Sequence, residues 1–510
     1  MFCQLSEGAT TIMGARTGHT YLTHLRESGP EVWIGKERVQ DVTTHPATSG
    51  AAHEIARLYD LQHEPGLSDK LLYPSPVNGE PVSAQFLLPR TTQDLATRRM
   101  MHTYWADATY GFMGRTTDFI GAMLTGWYIS ADFFAPYADN VRRYYEYVRD
   151  HDLFLTHALT DPGIDRTKPP SQQPDPYIAL GAVKETDQGI IVRGAKMLAT
   201  ASPYADEILV WSFSHAKYTE ETAPYALAFA IPSNTPGVRF ICREPYGGQA
   251  RGDHPMASRF DEMDAVVIFD DVLVPWERVF IYKNPEKVNG IYQTAMAAFS
   301  GHQTAIRFLS KIQFVAGLTR HGARMLRVDQ FLHVQDMIGE MTCYVELTRA
   351  AIIASEAGAK LDANGFLIPD KRPIIAHRNT ANRWYPKIKE SLQLIFAGHL
   401  MYLPAMVDAF DSPRSEDLQK YYQGVDVTAQ ERIETLKTVS DLAIASFGGR
   451  HELYERFYAG DPLRLRAGQQ YLGYDWSEPN KLLDQFFSET GREEAVVIHT
   501  TNPSESHQAG

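Results

Sequence analysis

His157, Thr160, Asp161, Asp165 and Arg166 crowd one short stretch, Asp152-Leu-Phe-Leu-Thr-His-Ala-Leu-Thr-Asp-Pro-Gly-Ile-Asp-Arg166. Leu153 to Leu155 read as an apolar strand, and Pro162 and Gly163 then turn the chain. An imidazole, hydroxyls, carboxylates and a guanidinium at a strand mouth suit proton transfer or the grip on a polar ligand. The strand is rigid there, and the loop leaves its groups reachable. An ordinary polar turn has the same composition, so the stretch gains force only from the rest of the chain. Two glycine pairs, Tyr246-Gly-Gly-Gln and Ser446-Phe-Gly-Gly-Arg450, either let backbone approach a phosphate or simply close a helix. Nucleophile elbow, P-loop, HExxH and CxxC patterns are all missing. No GxGxxG follows a strand, so an NADH site is not expected.

Three blocks position these residues. Residues 1–150 read mostly as helices: one opens at Gly18, others cover 49–62 and 91–113, and a last one begins at Asp139. Thr91 or Thr92 caps the third. Between the last two, Tyr110-Gly-Phe-Met-Gly-Arg115-Thr-Thr-Asp118-Phe119 interrupts the helical pattern with two glycines and a fresh Thr/Asp cap. From 151 to 285 short β-rich runs dominate. Tyr177–Glu185 and Ile190–Lys196 flank a hairpin signal at Asp187-Gln-Gly189, and Glu207–Phe213, Tyr225–Ile231, Val238–Cys242 and Ala265–Phe269 follow. From 286 to 475 long amphipathic helices return, with Val334, Met337, Ile338, Met341 and Val345 at helical spacing. The expectation is an α+β chain: an N-terminal helical domain (1–150), a middle β-sandwich or barrel (151–285), a C-terminal helical bundle (286–475) and a partly disordered tail (476–510).

Composition narrows the function. A net charge of −13 disfavours nucleic acid, whose phosphates need clustered Lys and Arg. No apolar run has the length of a membrane span, and Met1–Glu7 lacks the profile of a signal peptide. Cys3, Cys242 and Cys343 are too scattered for a disulfide framework or a thiolate metal site, so a reducing cytoplasm and no metal are expected.

Tyr110–Phe119, Thr156–Arg166, Ser258-Arg-Phe-Asp-Glu-Met-Asp-Ala265 and Phe269-Asp-Asp-Val-Leu-Val-Pro-Trp-Glu-Arg-Val-Phe280 come in an order that resembles the 4-hydroxyphenylacetate 3-hydroxylase family. The resemblance runs from Arg16-Thr-Gly18 and Asp41–Pro46 to Phe447-Gly-Gly-Arg450. It implies an acyl-CoA dehydrogenase-like fold with a four-helix bundle at its end. It also implies the oxygenase component of a two-component flavin monooxygenase. Such an enzyme takes FADH2 from a separate NAD(P)H:flavin reductase. It inserts one atom of O2 ortho to the hydroxyl of a phenol or hydroxy-heteroaromatic, through a flavin C4a-hydroperoxide. A homotetramer is implied as well.

The same resemblance implies residue roles. Arg115 and His157 line the phenol site. His157, Ala158, Leu159, Gly163, Ile164, Asp165 and Arg166 fall where the family contacts flavin, as do Thr200 and, more weakly, Ser202. Ser446, Phe447, Gly448 and Gly449 match a late loop that reaches a neighbouring subunit's flavin. His302 aligns with a histidine that chlorophenol-hydroxylating relatives use to deprotonate substrate; a helix-face histidine of the bundle is the equal alternative. Phe119 departs from the pattern, standing where the family has a tyrosine that hydrogen-bonds the substrate oxygen. A more acidic hydroxyl, as in a halophenol or hydroxypyridine, needs less of that help. The competing reading on this fold is an acyl-CoA dehydrogenase or dehydratase acting on a CoA thioester. The dehydratase's iron–sulfur cluster needs cysteines that Tyr104–Phe112 lacks.

Overall fold

The computed structural model describes residues 13–165, 167–213, 217–405 and 407–490. Two compact units emerge, Met1–Tyr458 and Ala459–Gly510. In the first, five helices come early: α1 (Gly18–Ser28), α2 (Pro46–Leu61), α3 (Thr92–Ala108), α4 (Thr117–Ile129) and α5 (Ala138–Asp150). Local chemistry starts several of them. The Thr91 hydroxyl accepts from the Asp94 amide at 3.1 Å while Asp94 accepts from the Thr91 amide at 2.9 Å, a reciprocal cap that satisfies two orphan donors. Helix α3 stops at Ala108, short of 113, because Tyr110 and Gly111 take positive φ (51° and 68°) and reverse the chain.

A ten-stranded sheet forms the middle. Its strands are β1 (Val32–Ile34), β2 (Glu37–Val39), β3 (Leu155–Thr160), β4 (Gly181–Glu185) and β5 (Gly189–Thr200). The other five are β6 (Glu207–Phe213), β7 (Ala228–Pro232), β8 (Val238–Cys242), β9 (Asp264–Pro275) and β10 (Val279–Ile281). Their order is β10-β7-β6-β3-β5-β9-β8-β1-β2, with β4 on β5. The Asp187–Gly189 hairpin is realised, Glu185 pairing Ile190. The N-terminal block is less helical than its pattern suggests, since β1 pairs β8 in parallel and turns through Gly35 into β2. Strands of three residues carry too little alternation to be read from sequence.

Five longer helices follow: α6 (Met296–Met325), α7 (Leu332–Ala357), α8 (Lys371–Ala381), α9 (Trp384–Phe396) and α10 (Ala429–Ala443). Helix α11 (Ser446–Phe457) closes the unit. Helix α6 is the central post: it packs against α3, α4, α7, α8, α9 and α10. It is buried on most sides. In α7, by contrast, Val334, Met341 and Val345 face inward as their spacing requires. The second unit holds helix α12 (Ser477–Glu489), so the stretch 476–510, expected as a partly disordered tail, contains a regular helix; 491–510 lies outside the described residues. Among the described residues no helix is long and apolar enough to cross a membrane.

Candidate active site

Arg115 lies in the turn between α3 and α4, and the two glycines before it are there for packing. A Cβ on Gly111 would stand 2.5 Å from the Arg307 carbonyl of α6, and one on Gly114 would stand 2.2 Å from the Tyr454 hydroxyl of α11. The turn is thus pressed between the bundle and the sheet. The Arg115 amide donates to Glu262 Oε1 at 2.6 Å. Its guanidinium, 5% exposed, donates from Nη1 to the Gly114 carbonyl (3.2 Å) and the Tyr454 hydroxyl (2.5 Å), and from Nη2 to the Tyr458 carbonyl (3.2 Å). All three acceptors are neutral. Among the described residues no carboxylate pairs with Arg115, and Nε–H and one Nη2–H are left without a protein partner. The cation stacks on Phe119, its Cζ 4.0 Å from the ring centroid.

His157 also packs against Phe119. Its ring lies 5.5 Å from Phe119 and 5.7 Å, stacked, from Trp211 on the neighbouring strand β6. Nδ1 is buried with no hydrogen-bond partner among the described residues. Burial first, and the positive charge of Arg115 second, push the imidazolium well below its usual range, so the ring is neutral. A neutral imidazole with an unused nitrogen beside an unpaired guanidinium is a site for an oxygen that can be hydroxyl or oxyanion. Trp211 was missed in the sequence, where it reads only as one apolar residue of a strand.

The remaining sequence candidates divide. Ala158 is buried; Leu159 is half-buried; Gly163, Ile164 and Asp165 sit on the loop, Ile164 with its side chain exposed, and the Asp165 carboxylate accepts from Thr167. Arg166 lies outside the described residues. Thr200 donates to Asp264 Oδ1 at 2.6 Å. Two residues before it, Leu198 takes a positive φ of 62° where the pairing of β5 with β9 slips, and the bulge throws an aliphatic side chain outward. Ser202 is fully enclosed, its hydroxyl without a partner among the described residues, and so presents nothing to an open site. In the late segment, Phe447 is buried against Phe112, and a Cβ on Gly448 would stand 2.0 Å from the Leu442 carbonyl. Those two are internal packing; only Ser446 is exposed, and Gly449 is partly exposed with open space beside it.

One acidic pair joins these segments. Arg450 binds Glu262 (2.9 Å) and Asp264 (2.8 Å). Burial raises the Asp264 carboxyl, but Arg450, Arg243 and Thr200 outweigh that and hold it well below the usual carboxylate range. Since Glu262 also takes the Arg115 amide and Asp264 the Thr200 hydroxyl, the Arg115 turn and the end of β5 share one salt-bridge frame. His302 sits on α6. Its Nε2 lies 2.9 Å from Glu356 Oε1 on α7, and Glu356 also meets Arg99 of α3. The structure therefore brings Arg115, Phe119 and His157 together, while the contact it gives His302 is with Glu356.

Helices packed before and after a ten-stranded sheet, with Arg115, Phe119, His157 and Trp211 gathered along β3, make an α+β architecture of the acyl-CoA dehydrogenase-like kind. The comparisons make the class specific. The N-terminal model of the 4-hydroxyphenylacetate 3-hydroxylase family matches residues 17–281 and its C-terminal model 289–488. The chain is 44% identical over 453 residues to the 4-hydroxyphenylacetate 3-monooxygenase oxygenase component of Thermus thermophilus, covering 88% of this chain and 93% of that one. It is 35% identical to the 4-nitrophenol 2-monooxygenase oxygenase component of a Rhodococcus species, covering 88% and 87%. A crystal structure of a 4-hydroxyphenylacetate 3-monooxygenase oxygenase component with FAD and 4-hydroxyphenylacetate superposes with a TM-score of 0.89 at 42% identity, covering 93% of this chain and 99% of that one. An archaeal 4-hydroxybutyryl-CoA dehydratase shares the fold (TM-score 0.84) at 22% identity. This chain belongs to the 4-hydroxyphenylacetate 3-hydroxylase family. It is a flavin-dependent aromatic hydroxylase, the oxygenase component of a two-component monooxygenase working with FAD and O2.

The residues present fit that cofactor. Ile164 and Leu198 expose aliphatic side chains that could lie against a flat ring system. Helix α11 begins at an exposed Ser446 with no side-chain cap, an arrangement suited to an anionic group.

Proposed function

We propose that the chain hydroxylates a phenol ortho to its hydroxyl, with the substrate oxygen bound as phenolate between Arg115 and His157. The observation that carries this is the Arg115 guanidinium, buried among neutral oxygens with two N–H groups to spare and no carboxylate partner among the described residues. A phenol of pKa ~10 is only about one part in a thousand ionised at neutral pH, whereas the phenolate ring is the better nucleophile. Lowering that value to about 7 takes roughly 4 kcal/mol, which one unscreened guanidinium at contact distance supplies.

When bound, reduced FAD supplies the activated oxygen. The protein's part is to hold the ring and its charge. Arg115 stabilises the oxyanion; His157, neutral in either tautomer, accepts from the phenol or donates to the phenolate through Nδ1. Phe119 contributes its face to the guanidinium and no hydroxyl to the substrate. Trp211 backs His157 and keeps water from it.

FADH2 comes in trans from a separate NAD(P)H:flavin reductase. Exposed Leu332, Leu347 and Ile353 on α7 and Leu394 on α9 support a homotetramer built on the bundle, with Ser446 and Gly449 reaching a neighbour's flavin. Scarce cysteines, with Cys242 and Cys343 free, support a cytoplasmic setting. The test is single turnover: anaerobic enzyme with reduced FAD and 4-hydroxyphenylacetate or 4-nitrophenol, mixed with oxygen and assayed for catechol. Hydrogen peroxide without catechol across a panel of phenols and hydroxypyridines would refute the reading.

A further inference from the structure

Tyr454 stands 339 residues from Arg115 in sequence, yet its hydroxyl occupies the place that a side chain on Gly114 would fill. It accepts from Arg115 Nη1 at 2.5 Å and lies 3.2 Å from the Gly114 carbonyl, to which it donates. Three guanidiniums surround its ring: Arg115 and Arg450 each at 5.1 Å from the centroid and Arg307 at 5.2 Å. Two of these are matched by acids. Arg450 is held by Glu262 and Asp264, and Arg307 by Glu455, which Lys311 also binds at 2.9 Å. Only Arg115 has no carboxylate among the described residues. The phenol is therefore clamped from behind by fixed cations, while its hydroxyl fixes the one cation that remains unpaired. Burial, only partly offset by Arg115 and Arg307, pushes the hydroxyl up to about 12, so it stays protonated and keeps both roles, donor and acceptor.

We propose that Tyr454 is a positioning residue for Arg115: it pins Nη1 so that Nε–H and the spare Nη2–H point together at the substrate oxygen. This rests on the reading of Arg115 as the phenolate-binding group. It gives the α11 tyrosine a part in the aromatic site where Phe119 brings no hydroxyl. A guanidinium recognises an oxyanion through two parallel N–H groups, and a fork free to rotate about its stem loses that geometry. Tyr454→Phe keeps the ring among its cations and removes only the hydroxyl, as acceptor from Arg115 and as donor to the Gly114 carbonyl. The backbone acceptors Gly114 and Tyr458 still hold the side chain, so the fold survives.

The experiment uses the FAD-loaded enzyme and 4-fluorophenol, whose fluorine chemical shift distinguishes phenol from phenolate. The ionisation midpoint of the bound ligand is followed with pH in wild type, Tyr454→Phe and Arg115→Ala. The midpoint is expected to rise by about one pH unit in Tyr454→Phe, roughly tenfold less phenolate at a given pH, and further in Arg115→Ala. FAD affinity, read by flavin fluorescence, is expected to stay within about twofold in Tyr454→Phe, which separates loss of positioning from loss of structure. A wild-type midpoint in Tyr454→Phe with a raised one in Arg115→Ala overturns the positioning role and leaves the phenolate reading standing. An unmoved midpoint in both variants overturns the reading on which it rests.

Discussion

Replacing Arg115 by alanine removes the charge on which the proposed chemistry depends and leaves the surrounding fold intact. The Tyr454 hydroxyl still reaches the Gly114 carbonyl, and Glu262 still takes the backbone amide of residue 115. The magnitude follows from Coulomb's law. A guanidinium about 4 Å from an oxyanion, at an effective dielectric of about 20, contributes roughly 4 kcal/mol. That corresponds to about three units of phenol ionisation and, if the whole loss falls on oxygen transfer, to a rate lower by several hundredfold. The assay is rapid mixing of reduced enzyme and phenol with oxygen, quantifying catechol and hydrogen peroxide per flavin. In the variant most reducing equivalents should leave as peroxide. The sign with pH is also determined. Wild-type hydroxylation should be flat above about pH 7, where the bound phenol is already ionised, whereas the variant should gain nearly tenfold per unit until the ~10 of the free phenol. Unchanged coupling, or a defect equally deep at pH 7 and pH 10, would refute the argument.

Four further outcomes follow from named contacts. Phe119→Leu removes the ring 4.0 Å from the Arg115 cation and should cost about 1–2 kcal/mol in oxygen transfer, while Phe119→Tyr adds a donor beside it and should improve coupling with simple para-substituted phenols, both read as catechol per FADH2. His302→Gln breaks the contact with Glu356; melting should show a loss of about 1–3 kcal/mol with the pH profile of hydroxylation unmoved, and a defect that shrinks as pH rises would restore His302 to the chemistry. Gly448→Ala, whose Cβ would meet the Leu442 carbonyl, should lower expression and melting temperature sharply, whereas Gly449→Ala should fold normally. Lys311, driven down to about 7 by burial against the opposing pull of Glu455, is neutral in the fold but protonated in the unfolded chain between roughly pH 7 and 10. Stability should therefore rise with pH across that window, and Lys311→Met should flatten the rise in thermal denaturation.

The sequence alone carried what short-range chemistry decides. The Thr91–Asp94 cap, the Asp187–Gly189 hairpin and the inward stripe of α7 each depend on residues a few positions apart, so they are legible without a fold. Family strings added the flavin chemistry, and the absent hydroxyl at Phe119 is visible as a single letter. Only the tertiary structure could decide the rest. Gly111 and Gly114 read in the sequence only as a helix interruption, whereas in the fold they make room for Arg307 and Tyr454, which arrive from distant helices. Ser202 and Phe447, candidates by family resemblance, are buried, and His302 meets Glu356, 54 positions away on α7. Trp211 and Tyr454 carry no motif at all. Their places come from strand pairing and from α11 docking on the Arg115 turn, contacts between residues tens to hundreds of positions apart. Local pattern sets which segments are rigid, but which side chains converge depends on burial and charge pairing that exist only once those segments pack.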